Sequence, residues 1–121
     1  MAGYTGSCHC GAVRFRIEAD VRELTTCDCS LCARRNAVMT KVHESELTLL
    51  SGEEHLSLYQ WNTGRAKHYF CSRCGIYTHH QRRSRPDQYG YNVGCLEGID
   101  PFLIENVPVS DGVHHPADRK P

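Results

Sequence analysis

The chain has 121 residues, 40% of them hydrophobic and 23% charged, and its 14 Lys plus Arg balance 14 Asp plus Glu. That length suits a single domain over residues 1–121, and the composition excludes a disordered chain. Zero net charge removes the whole-protein case for binding nucleic acid or anionic lipid. The short apolar runs exclude a membrane-spanning helix, and the opening residues lack the pattern of a secretory signal, so the cytoplasm is the expected compartment.

The predicted elements are mostly strands. In Ala12 to Ala19, Val13, Phe15 and Ile17 alternate with Arg14, Arg16 and Glu18, a period of two with one face buried and one wet. Ser30 to Ala37 can form a turn or two of helix, with Ser30 as N-cap and Arg34 and Arg35 near its end. Glu46 to Leu50 and His55 to Trp61 flank the turn signal Ser51-Gly52 and predict a hairpin. Lys67 to Phe70 leads into a pair of cysteines and Gly75 to His80 leads out, giving strand, knuckle, strand. Arg82 to Asp87 reads as a polar loop. Tyr89, Tyr91, Val93 and Cys95 share one face of a further strand, where Gly90, Gly94 and Gly98 signal bulges or close backbone approach. Glu105 to Pro121, with three prolines and an Asp111-Gly112 turn, is expected to be a loosely packed tail. The fold class expected is mainly β, with several small sheets held by metal.

The metal expectation comes from eight cysteines: Cys8, Cys10, Cys27, Cys29, Cys32, Cys71, Cys74 and Cys95. An even number permits a disulfide framework, but that needs an oxidising compartment. Seven of the eight fall in three tight clusters, C-x-C, C-x-C-x-x-C and C-x-x-C. Clusters suit convergence on one ion better than long-range stapling. Cys71-Ser72-Arg73-Cys74-Gly75 is a zinc knuckle, in which the glycine permits the tight turn. Spacing leaves its partner open. Cys29 and Cys32 would complete the commonest zinc-ribbon arrangement. Alternatively, Cys8 and Cys10 pair with Cys71 and Cys74, leaving Cys27, Cys29 and Cys32 as a three-thiolate set with an open position, as at catalytic zinc.

Gly6-Ser7-Cys8-His9-Cys10-Gly11-Ala12-Val13, Cys27-Asp28-Cys29-Ser30-Leu31-Cys32-Ala33-Arg34-Arg35 and Phe70-Cys71-Ser72-Arg73-Cys74-Gly75-Ile76 resemble the glutathione-dependent formaldehyde-activating enzyme family, which includes centromere protein V. Asn92 to Leu96 resembles a further family segment. The resemblance implies coiled antiparallel β-sheets around zinc. It implies that Cys8, Cys10, Cys71 and Cys74 hold a structural zinc and that Cys27, Cys29 and Cys32 hold a second, functional one. It also implies condensation of formaldehyde with glutathione to S-hydroxymethylglutathione, a carbon–sulfur lyase activity in reverse. The chain is shorter than the founding enzymes, and His114 to Asp118 does not match their C-terminal region.

Seven thiolates with two zinc ions would leave the chain at about −3, so nearby cations should tune the sites. Arg34 and Arg35 follow Cys32 and are the candidates for holding a carboxylate of a peptide thiol. A three-thiolate zinc is electron-rich, so activation of a substrate thiol is favoured over polarisation of the aldehyde. Cys95 reads as a core thiol, with a fourth ligand to the second metal as the sharper alternative. His79 and His80 point to opposite faces of a strand, and one of them is a candidate proton carrier. Asp28 fits a turn role better than a base. Trp61, Tyr59 and Tyr69 are pocket candidates, with core packing the commoner explanation. His9, between Cys8 and Cys10, is expected to point away from their metal, and His114 and His115 read as solvated tail. The expected partner is a small thiol or thiol adduct, with neither membrane nor nucleic acid. The competing functions are a non-catalytic zinc-stabilised binding module and a zinc store or redox sensor.

Overall fold

A computed structural model describes residues 3–21, 23–61 and 64–110. The elements run β1 (Tyr4–Ser7), β2 (Arg14–Ile17), β3 (Thr26–Cys27), α1 (Ser30–Arg35), β4 (Met39–His43), β5 (Leu47–Ser51), β6 (Leu56–Tyr59), β7 (Lys67–Cys71), β8 (Tyr77–Gln81), β9 (Gln88–Asn92) and β10 (Val109–Ser110). They form two antiparallel sheets, one ordered β1-β2-β5 and one ordered β4-β9-β8-β7-β6, plus a short parallel pair of β3 and β10. The mainly β expectation holds.

The alternation read around β2 is what joins the two sheets. Val13, Phe15 and Ile17 are fully buried while Arg14 and Arg16 stay at the surface. Phe15 faces Leu49 and Ile17 faces Leu47 across β5. The same two side chains pack against Val42, Tyr91, Val93, Cys95 and Leu96 of the larger sheet and its continuation. Burying a Phe or Ile side chain completely contributes about 2–3 kcal/mol each, so this cluster is the main cohesive contact between the sheets.

Several expectations are corrected. No hairpin joins 46–50 to 55–61: β5 pairs with β2, and β6 pairs with β7. Leu47 and Leu49 are drawn to the Phe15 core, whereas Leu56 lies opposite Cys71. A 3-10 turn at Glu53–His55 carries the chain from one sheet to the other. Helix α1 is capped by Cys29 rather than Ser30, because the Cys29 sulfur accepts from the Cys32 N–H. Arg34 and Arg35 do lie in its last turn. The strand through Tyr89 and Tyr91 stops at Asn92, whose side chain accepts from the Gly94 N–H and opens a 3-10 turn over Val93–Cys95. The described part of the expected tail does not hang loose, since Val109 and Ser110 pair with Thr26 and Cys27. The Asp111-Gly112 turn, His114 and His115 lie outside the described residues. The strand–knuckle–strand reading holds: β7 and β8 are an antiparallel hairpin with the knuckle at its tip.

Candidate metal centres and the cleft beside them

Two hairpin tips form the first thiol group. Cys8 and Cys10 lie between β1 and β2, while Cys71 ends β7 and Cys74 lies between β7 and β8. The two turns share one design. The Cys8 N–H donates to the Val13 carbonyl at 3.0 Å, and the Cys71 N–H donates to the Ile76 carbonyl at 3.0 Å. Each turn aims a backbone N–H at sulfur, Val13 N at 3.3 Å from Cys8 Sγ and Arg73 N at 3.3 Å from Cys71 Sγ. Gly75 closes the second turn at φ +81°, a left-handed conformation that favours glycine.

The four sulfurs lie within 4.8 Å of one another. Cys8 and Cys10 are 3.6 Å apart and Cys10 and Cys71 are 3.7 Å apart. A disulfide needs about 2.05 Å, and all eight cysteines are free thiols. A tetrahedron with metal–sulfur bonds of about 2.3 Å has edges of about 3.8 Å, which matches the observed spacing. The thiols also need a cation to ionise together. Burial opposes ionisation of Cys74, but the Cys10 and Ile76 N–H groups and its thiol neighbours bring it down to about 6. The Ala12 N–H favours ionisation of Cys10, yet desolvation and the other three sulfurs push it up to about 11. One thiolate forms at its neighbours' expense unless positive charge is supplied. The donor set therefore fits a thiophilic cation such as zinc. The group joins the tip of one sheet to the tip of the other over Val13, Leu49 and Leu56.

Cys27, Cys29 and Cys32 form the second group, also within 4.8 Å. Cys27 ends β3, Cys29 caps α1, and Cys32 lies in its first turn. Helical spacing brings Cys29 and Cys32 to one side, and β10 holds the Cys27 end through the Asp28 N–H to the Ser110 carbonyl at 3.2 Å. Burial pushes the Cys32 thiol up, and the Arg35 guanidinium opposes that shift. Burial also raises Cys27. Burial acts on Cys29 too, but backbone and thiol donors at Cys32 bring it down. Again one thiol is eased toward its thiolate while its partners resist, and the three sulfurs could hold the same kind of cation.

The two groups differ in what they face. All three sulfur residues of the second group line a cleft of about 480 Å³, and none of the first group does. Its walls include Trp61, Met39 and Leu24, and among the described residues its charged side chains are Arg35, Lys41, Arg82 and Arg83 against one acid, Glu23. Arg35 is a hub. Its Nη2 lies 3.5 Å from Cys32 Sγ, its Nη1 3.2 Å from His68 Nδ1, and its guanidinium carbon 3.7 Å above the Tyr77 ring. Tyr77 is buried, its hydroxyl pushed up by desolvation, and that hydroxyl lies 2.6 Å from His80 Nδ1. The His80 ring stacks on His68 with centroids 5.2 Å apart. Burial, with Arg35 and Arg83, lowers His68 to about 4. Burial and the same Arg35 charge hold His80 well below its usual range.

The remaining candidates divide. Arg34 is exposed, donates to the Ser30 carbonyl at 2.8 Å and lies outside the cleft. Cys95 belongs to neither thiol group. Burial pushes it up to about 12 and its thiol donates to the Tyr77 carbonyl, so the core reading describes it. His79 and His80 do take opposite faces. His79 stacks on Tyr69 away from the cleft, with centroids 4.9 Å apart. Trp61 lines the cleft, whereas Tyr59 is at the surface. Asp28 is exposed and not a cleft residue, and His9 is exposed between Cys8 and Cys10. Sequence reasoning missed His68, Met39, Lys41, Arg82 and Arg83. The signal for His68 was available: once β7 and β8 are a hairpin, it stands directly opposite His80.

Residues 3–106 match the family model described as glutathione-dependent formaldehyde-activating enzyme. A curated protein of Halomonas elongata, named "Putative glutathione-dependent formaldehyde-activating enzyme", is 35% identical over 78 residues, covering 57% of this chain and 50% of that one. The chain thus spans about half the length of that relative. A crystal structure of a Rhodobacter sphaeroides protein is similar at 48% identity and a TM-score of 0.84, covering 88% of this chain and 99% of the other. Among the described residues, no helix is long and apolar enough to cross a membrane.

Proposed function

Since the chain belongs to the glutathione-dependent formaldehyde-activating enzyme family, we propose that it joins formaldehyde to a glutathione-like peptide thiol, and cleaves the same carbon–sulfur bond in reverse, within the cleft beside Cys27, Cys29 and Cys32. Cys8, Cys10, Cys71 and Cys74 hold a structural zinc in this reading, and the cleft trio holds a second zinc. The observation that carries it is the division of the sulfurs: three line the cavity, while four join two hairpin tips away from it. When bound, the second zinc supplies positive charge that brings a neighbouring substrate thiol to its thiolate near neutral pH.

The protein's own groups bind and orient the substrate. Arg35, Lys41, Arg82 and Arg83 line the cleft, and this excess of cations suits a thiol carrying two carboxylates, as glutathione does. Trp61, Met39 and Leu24 offer apolar surface to its methylenes. The thiolate adds to the carbonyl carbon of formaldehyde to give the S-hydroxymethyl adduct. Reduced thiols are required at both centres, which suits the cytoplasm.

Metal content, glutathione binding and adduct exchange, measured on the wild type and on Cys29→Ser, test the reading. The wild type should carry two zinc ions per chain, bind glutathione saturably and speed adduct formation. Cys29→Ser should lose about one metal and all turnover while keeping its fold. Retained turnover, or loss of both metals together, would refute the division of roles. One zinc and no glutathione binding in the wild type would instead support a binding module.

A further inference from the structure

The proposed reaction places negative charge on the aldehyde oxygen as sulfur attacks. A cation already neutralised by three thiolates is a poor partner for that oxygen, so the cleft needs another donor. The Arg35 bridge supplies a reason to look at His68. A guanidinium only donates, so at 3.2 Å from Arg35 Nη1 the His68 Nδ1 must accept. A neutral imidazole that accepts at Nδ1 carries its proton on Nε2. The ring thus presents an N–H, and among the described residues no protein group takes it.

That donor is held from several sides. Arg35 spans His68 and Cys32, placing the imidazole on the same guanidinium as one of the three sulfurs. His80 stacks on its other side with an interplanar angle of 27°, in the register that pairs β7 with β8. His80 is itself fixed by Tyr77 and lies so close over Gly90 that a Cβ there would be 2.4 Å from its ring. Both imidazoles line the cleft with the thiols. Burial, with the charges of Arg35 and Arg83, favours the neutral imidazole, and the same positive charge favours an oxyanion beside the ring.

We propose that His68 is a catalytic residue for the carbon–sulfur step, donating a hydrogen bond from Nε2–H to the aldehyde oxygen, and that Arg35 is the positioning residue that sets its tautomer. The inference rests on the function proposed above. The substrate thiol first releases its proton to water. Its sulfur lone pair then forms the C–S bond, and the carbonyl π pair moves onto oxygen, where His68 stabilises it without giving up its own proton. The oxygen takes a proton from water in the open cleft, so one proton is lost and one gained. Reversal breaks the same C–S bond and restores the carbonyl.

The test uses zinc-loaded, full-length protein. Exchange between free glutathione and its hydroxymethyl adduct is followed for the wild type, His68→Phe and His68→Gln, and imidazole nitrogen shifts are read by NMR in the wild type and Arg35→Lys. Phe keeps the ring stack without a donor, and Gln restores a neutral N–H near the Nε2 position. His68→Phe should lower kcat by about 100-fold with KM for glutathione changed by no more than about twofold, and His68→Gln should recover about tenfold of the loss. In the wild type, His68 should be the Nε2–H tautomer, and Arg35→Lys should mix the tautomers. An active wild type with an equally active His68→Phe overturns the His68 role and leaves the function standing. A loaded wild type without any rate enhancement overturns the function and this role with it. An Nδ1–H tautomer at His68 overturns the inference even if His68→Phe fails to fold.

Discussion

Replacing His79 with Leu should flatten the acid branch of this protein's stability curve. The His79 side chain is 5% exposed, stacked on Tyr69, with its Nδ1 2.9 Å from the Thr78 hydroxyl. Burial lowers its pKa from 6.5 to about 4. The unfolded chain therefore binds a proton that the folded chain refuses, and stability falls as pH drops below 6.5 until the folded group titrates near 4. The whole difference is about 3 kcal/mol, of which about 2 kcal/mol should already be lost between about pH 8 and about pH 5. Urea unfolding of wild type and His79→Leu at those two pH values measures it through the midpoint at constant slope. Metal ligands and the cleft imidazoles titrate in both proteins, so the difference of differences isolates His79, and any fixed packing cost of Leu cancels. If both proteins lose the same stability between the two pH values, burial does not hold His79 neutral and the linkage argument fails.

Three further outcomes are expected. Gly90→Ala puts a Cβ 2.4 Å from His80 Cε1, so it should displace the imidazole from Tyr77 and cost about 1–3 kcal/mol; the urea midpoint and the His80 resonances check both. Asn36 ends α1 at φ 50° while its N–H bonds the Cys32 carbonyl at 2.7 Å. Asn36→Ala should therefore cost about 1 kcal/mol and Asn36→Gly almost nothing, read from thermal midpoints. Cys95, raised by burial to about 12, should resist iodoacetamide at neutral pH until the protein is unfolded, and peptide mass spectrometry will show whether it does.

The parts of the fold that were legible share one property: a short range in sequence. The alternation about Val13, Phe15 and Ile17 requires only that one face be dry. The knuckle requires only that two thiols and a glycine stand at turn spacing, and Cys71 to Gly75 meets that condition by itself. The failed hairpin shows the limit. Ser51-Gly52 is a genuine turn signal, and β5 and β6 do flank it, but each strand has a better partner elsewhere: β5 takes the Phe15 and Ile17 side of β2, and β6 takes β7. Burial against a distant strand outweighs the local turn. The cap of α1 failed similarly, because a Cys29 sulfur already directed at its own cluster accepts the N–H that Ser30 was expected to serve.

The site divided along the same line. That seven cysteines in three clusters should gather into groups was written in their spacing, since residues two or three apart in a turn cannot avoid one another. Which clusters combine was not, because C-x-x-C spacing is equally compatible with either partner, and only the meeting of two hairpin tips unites Cys8 and Cys10 with Cys71 and Cys74. The cleft was still further out of reach. Its walls come from β3, α1, β4, the β7–β8 hairpin and the segment ending in β10, and the pairing of Val109 and Ser110 with Thr26 and Cys27 helps to close it. Local chemistry is carried by neighbours along the chain, whereas a concave surface exists only where distant segments are brought together by burying a common core.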